Sequence, residues 1–154
     1  MKRTLHFVLI ALFLVTGASA QTTKLHPNCN LNGEGVAIEG YDPVTYFGGK
    51  AVEGSKEYTY TIDGATYRFT NARNRDLFKA SPARYQPQYG GWCAYAMGSS
   101  GEKVDIDPKT FKIVDGKLYL FYNKFFNNTL KSWNKDEATL KTKADANWMK
   151  QNNK

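Results

Sequence analysis

The reactive side chains of this sequence are few, and sulfur dominates them. Cys93 sits in the run Gly90-Gly91-Trp92-Cys93-Ala94-Tyr95-Ala96-Met97. If Ala94 opens a short helix, the helix N-terminus favours a thiolate at Cys93, the form that attacks disulfides and binds metals. The paired glycines allow a tight turn and a close backbone approach. Met97 offers a thioether suited to Cu(I), and Tyr89, Trp92 and Tyr95 supply a soft aromatic neighbourhood. Three fates stay open for Cys93: a disulfide with Cys29, the only other cysteine; a functional thiol, redox-active or metal-binding; or a buried sulfur acting as a small apolar group. His26-Pro27-Asn28-Cys29 places an imidazole near the second thiol, so His26, Cys29, Cys93 and Met97 form a donor set chemically suited to copper. There is no C-x-x-C pair, which argues against dithiol chemistry of the thioredoxin kind unless Cys29 resolves from a distance.

Other chemistries are poorly served. His26 is the one histidine beyond the first few residues, so a Ser-His-Asp triad or a multi-histidine metal centre has little to draw on. Asp105 and Asp107 flank Ile106 before Pro108, spaced for one face of an extended piece; they suit either a hard cation or a turn. Gly48-Gly49-Lys50 lacks the remainder of a phosphate-cradling loop.

The elements that must position these residues read as α+β, a small antiparallel sheet built from two hairpins with packed helices. Tyr58, Tyr60 and Ile62 alternate with polar residues, Asp63-Gly64 supplies a two-residue turn, and Tyr67 and Phe69 return. Asn71 can cap a helix through Ala80 with Leu77 and Phe78 facing inward, closed by Pro82. A second hairpin runs from Phe111 to Val114, turns at Asp115-Gly116 and returns through Leu118 to Tyr122. In the tail, Phe126, Leu130 and Trp133, then Leu140, Ala144 and Trp148, recur at helical spacing, with Asn134 or Asp136 able to cap between them.

Residues 1–20 read as a cleaved secretory signal: Lys2 and Arg3, an apolar run from Phe7 to Val15, then Ala18-Ser19-Ala20 before Gln21. The expected product is periplasmic or secreted, with a polar lead over 21–34, a single domain over 35–150 and no membrane span. The net charge of +7 is uneven, with ten Lys against four acidic residues from Lys109 onward. Export argues against a nucleic-acid partner; an acidic partner or anionic envelope surface fits this basic C-terminal region, as does a plain solvated face.

The segment Tyr67-Arg68-Phe69-Thr70-Asn71 through Phe78, Pro82 and Tyr85 resembles the core of the YHS domain, and Asp42-Pro43-Val44 resembles that domain's entry motif. In metal-associated YHS domains, cysteines of these two motifs are the presumed ligands; the corresponding places here hold Thr45, Thr70 and Asn74. A longer resemblance, Gly35 to Trp148, is to a group of exported YHS-domain proteins, through Gly40–Val44, Gln88–Ala96, Val114–Leu120 and Ala144–Trp148. It implies soft chemistry at Cys93, since some members of that group carry selenocysteine there. The expectation that follows is an exported YHS-type binding module handling a soft transition metal such as copper, or a thiol-reactive ligand. Its site centres on Cys93 and is lined by Tyr41, Asp42, Tyr46, Trp92, Tyr95 and Met97. A redox enzyme using Cys93 and a ligand-free interaction domain are the alternatives.

Overall fold

The computed structural model describes residues 28–152, so the segment read as an export signal and His26 lie outside the described residues. Five helices and three antiparallel strand pairs make an α+β fold. The first pair is β1 (Ser55–Ile62) with β2 (Ala65–Phe69), closed at Asp63-Gly64 with both residues at positive φ. That is the turn whose twist matches a two-residue hairpin. The second pair, β3 (Asp107–Val114) with β4 (Lys117–Phe121), repeats the device at Asp115-Gly116.

These hairpins do not share the single sheet expected from the sequence. The three pairs are separate two-stranded ladders. Loop residues take the edges instead: Val36 bridges to Thr66 on β2, and Pro87 bridges to Leu118 on β4. Each bridge pairs one edge residue and places a loop where a further strand would otherwise lie.

Helix α1 (Ala72–Ala80) starts where Asn71 caps it, the side chain accepting from the Asn74 N–H at 2.9 Å. Phe78 is fully buried, whereas Leu77 is 40% exposed rather than inward-facing. Adjacent helical positions diverge by about 100°, so only one of the two can meet the core. Phe78 packs against Tyr67 and Phe69, with ring centroids at 4.6 and 5.3 Å. Pro82 opens a further turn, α2 (Pro82–Tyr85), as a first-turn proline can, since its missing N–H has no intrahelical partner there.

Helix α3 (Ala94–Ser99) follows a 3-10 turn over Gln88–Gly91. A third, short hairpin joins β5 (Asn123–Lys124) to β6 (Asn127–Asn128). Asn128 then caps α4 (Thr129–Trp133) by accepting from the Leu130 N–H at 3.1 Å. Phe126 therefore precedes the helix in which its spacing to Leu130 and Trp133 had placed it. The long α5 (Glu137–Asn152) buries Ala144. Among the described residues no helix is long and apolar enough to cross a membrane.

Two apolar clusters result. One gathers Tyr46, Phe69, Phe78, Cys93, Leu118 and Leu120; the other gathers Tyr89, Met97, Tyr119, Phe121 and Trp133. Tyr95 packs on both. The second depends on close contact between α3 and α5, where a Cβ on Gly98 would lie 2.5 Å from the Leu140 carbonyl oxygen. We expect Gly98→Ala to lower the unfolding free energy by about 1–3 kcal/mol, because backbone cannot yield as a side chain can. Urea unfolding checks this through a lower midpoint at an unchanged slope.

Candidate functional site

Cys93 occupies the position before the first residue of α3, as its sequence context suggests. Its backbone N–H donates to the Val104 carbonyl at 2.9 Å, and its carbonyl accepts from the Met97 N–H at 3.0 Å. Upstream, Tyr89, Gly90 and Gly91 all stand at positive φ. Gly90 combines that conformation with crowding: a Cβ there would lie 2.8 Å from the Trp148 ring and 2.9 Å from the Asn28 carbonyl oxygen. The Tyr89 hydroxyl donates to Asp145 at 2.9 Å. Burial pushes its phenol up, with the Asp145 carboxylate adding to the rise, so it remains a donor.

The sulfur is fully buried. Sγ lies 3.3 Å from the Tyr122 N–H nitrogen and 3.4 Å from Thr129 Oγ1, which is itself 2.9 Å from the Tyr122 carbonyl oxygen. A threonine hydroxyl has one proton. With that proton on the Tyr122 carbonyl, the Cys93 thiol donates to Oγ1 and the Tyr122 N–H donates to sulfur, closing a ring of hydrogen bonds. If the thiol ionises, the hydroxyl can turn onto sulfur, giving it two donors. The Tyr122 carbonyl still keeps the Thr129 N–H at 3.0 Å, so neither state leaves a polar group unmatched. Tyr122 and Thr129 are the base of the β5–β6 hairpin, 29 and 36 residues downstream of Cys93. No spacing in the sequence points to either.

The expected Cys29–Cys93 disulfide is not formed; both thiols are free. Cys93 faces Tyr122 and Thr129, whereas the groups acting on Cys29 are Asp63 and Lys103. Burial pushes the Cys29 thiol up, Asp63 adds to this and Lys103 opposes it. The segment carrying Cys29 is stitched to the fold, with the Asn30 N–H donating to the Gly90 carbonyl at 2.8 Å and the Trp92 indole N–H to the Asn28 carbonyl at 2.6 Å.

The remaining candidates divide. Tyr41 and Tyr46 share the apolar cluster of Cys93, Trp92 packs on the other cluster, and Met97 lies within that other cluster. The Met97 sulfur accepts from the Gln151 side chain at 3.6 Å. Among the described residues no three His, Cys, Asp or Glu side chains come together around a point that could hold a metal ion. Of the copper donor set read from the sequence, Cys93 and Met97 fall in different apolar clusters, and His26 lies outside the described residues.

Asp42 belongs to a different constellation. Fully buried, it accepts at Oδ1 from the Val44 N–H at 2.9 Å. At Oδ2 it accepts from the Thr70 N–H at 2.8 Å, the Thr70 hydroxyl at 2.9 Å and the Asn74 amide at 2.7 Å. The Thr45 hydroxyl donates to the Asp42 carbonyl at 2.9 Å. Thr45, Thr70 and Asn74 therefore converge on one aspartate.

No family model, no curated protein and no solved structure matches this chain.

Asp42→Asn would keep the shape while setting an NH2 group among donors. We expect a loss of about 2–4 kcal/mol, from forfeited hydrogen bonds to a carboxylate and from buried donors left unpaired. Thermal and urea unfolding of the variant provide the check.

Proposed function

We propose that this protein is an exported YHS-type module whose working group is the Cys93 thiol, and that the thiol engages a soft, thiol-reactive ligand. One observation carries the reading: a buried sulfur served by an N–H donor and by a hydroxyl that can turn to become a second. A cysteine serving only as a small apolar residue needs no such ring. Both groups can donate to sulfur, so negative charge that develops there during a reaction meets hydrogen bonds already in place. The positive φ of Tyr89, just upstream, supports the same reading, because strain of this kind collects where a backbone is held for a purpose. The resemblance to exported YHS-domain proteins supplies the setting and the expectation of soft chemistry at this position. Cu(I) at the Cys93 sulfur is the alternative occupant.

The test follows alkylation of the folded mature protein at neutral pH by intact mass. Two alkylatable thiols are expected without reductant, and Cys93→Ser should remove one. Thr129→Val keeps the shape but deletes the hydroxyl; it should slow modification of Cys93 by about tenfold, the worth of one hydrogen bond to a charged group. Modification of Cys93 only in the unfolded fraction, at a rate indifferent to Thr129→Val, would mean that the sulfur is packing. A Cu(I) titration in parallel that gives a stoichiometric complex lost in Cys93→Ser would assign the metal instead.

A further inference from the structure

The tip of the third hairpin breaks two rules at once. Asn123 pairs with Asn128 and Lys124 with Asn127, leaving Phe125-Phe126 as a two-residue turn. Both phenylalanines stand at positive φ, 51° and 63°, a conformation that is costly for bulky residues. The other two hairpins solve the same turn with Asp-Gly. Both rings also lie in solvent, at 89% and 110% of full exposure, beyond any other large apolar side chain of the described surface. Neither folding nor packing accounts for Phe-Phe here, so its use lies outside the molecule.

We propose that Phe125 and Phe126 insert together into the interfacial zone of a lipid bilayer. Area decides against a protein pocket as the occupant. Two phenylalanine rings cover roughly 300–500 Å², and their neighbours in the hairpin are Asn and Lys, whereas a specific protein interface buries about 1,000 Å² or more. A bilayer interface accepts a small convex apolar tip with a polar collar, and aromatic rings are favoured at that depth. Charge agrees with this choice. Lys124 adjoins the tip, Lys131 follows in α4, and Lys109 precedes Thr110, which accepts from the Asn123 side chain at 3.0 Å. None of these three lysines takes part in an ion pair among the described residues. Acidic groups are also near, since Lys124 opposes the burial-driven rise of the Glu39 carboxyl, to which Asp105 and Asp107 add. The rings therefore carry the binding, and anionic lipid adds only a modest gain. The base of this hairpin is the Tyr122–Thr129 pair that holds the Cys93 sulfur, roughly 10 Å below the tip along the strand. Insertion would bring the thiol of the proposed site to the membrane face, although insertion itself does not depend on that chemistry.

Cosedimentation with vesicles of phosphatidylcholine, and of phosphatidylcholine with phosphatidylglycerol, tests this. The mature protein should sediment with both and somewhat better with the second. The double substitution Phe125→Asn, Phe126→Gly installs a favoured turn sequence, so the hairpin keeps its shape; vesicle partitioning should fall about a hundredfold, roughly tenfold for each ring, while the melting temperature holds or rises. Failure of the mature protein to sediment with either vesicle, or full retention of binding by the double variant, would overturn the proposal. So would concentration-dependent self-association that the double variant abolishes, since that assigns the tip to a second copy of the chain. Loss of vesicle binding with Cys93 alkylation unchanged would bear on the tip alone, and the reverse on the thiol alone.

Discussion

The Asp42 carboxylate accepts hydrogen bonds from its own turn at Val44 and from two places far along the chain, Thr70 just past β2 and Asn74 in the first turn of α1. Burying a carboxylate is costly unless its oxygens are matched. Here they are matched only when the turn, the strand end and the helix start have met in one register. The interaction thus acts as a condition on the fold more than as an addition to its stability. Around it, Tyr46 reaches across to the Pro108 carbonyl at 2.8 Å and packs edge-on to Phe111 at 4.8 Å, joining the Asp42 turn to the second hairpin. The wall of the cluster that contains Cys93 is set by that link.

The thiol and the third hairpin form the other unit. Cys93 is tied to α3 by its carbonyl, to the Val104 segment by its N–H and to the hairpin base by its sulfur. A group gripped on three sides holds its orientation without metal or disulfide. The two Asp-Gly hairpins bury their return strands against the clusters, whereas the third buries only its base and leaves its tip outside. In the proposed reading that difference is functional: a base that orients sulfur, and a tip that meets a surface.

Sequence reading was most reliable where the physical cause is local. The Asp-Gly turns carry their own signature because both positions need positive φ. Asn71 and the start of α3 were equally visible, since a cap and its helix lie within a few residues. The reading failed where two local patterns compete. Phe126 stands at helical spacing from Leu130 and Trp133, yet Asn128 starts the helix after it, and no turn signature marks Phe-Phe. Leu77 and Phe78 were both legible as apolar, but helix geometry admits only one of them to the ring cluster. An even pair of cysteines with an export signal argued for a bridge, and chain topology sent the two thiols to different neighbours.

By itself the amino-acid sequence determined the α+β class, the two Asp-Gly hairpins and the capped helix after β2. Each follows from φ preferences, capping or side-chain chemistry over a few residues. Only the tertiary structure decided that the hairpins stay in separate ladders, that Thr70 and Asn74 gather on Asp42, and that Tyr122 and Thr129 are the partners of the Cys93 sulfur. Those contacts join segments about 30 residues apart or more, or depend on which loop reaches a strand edge first, and neither is encoded in a local pattern.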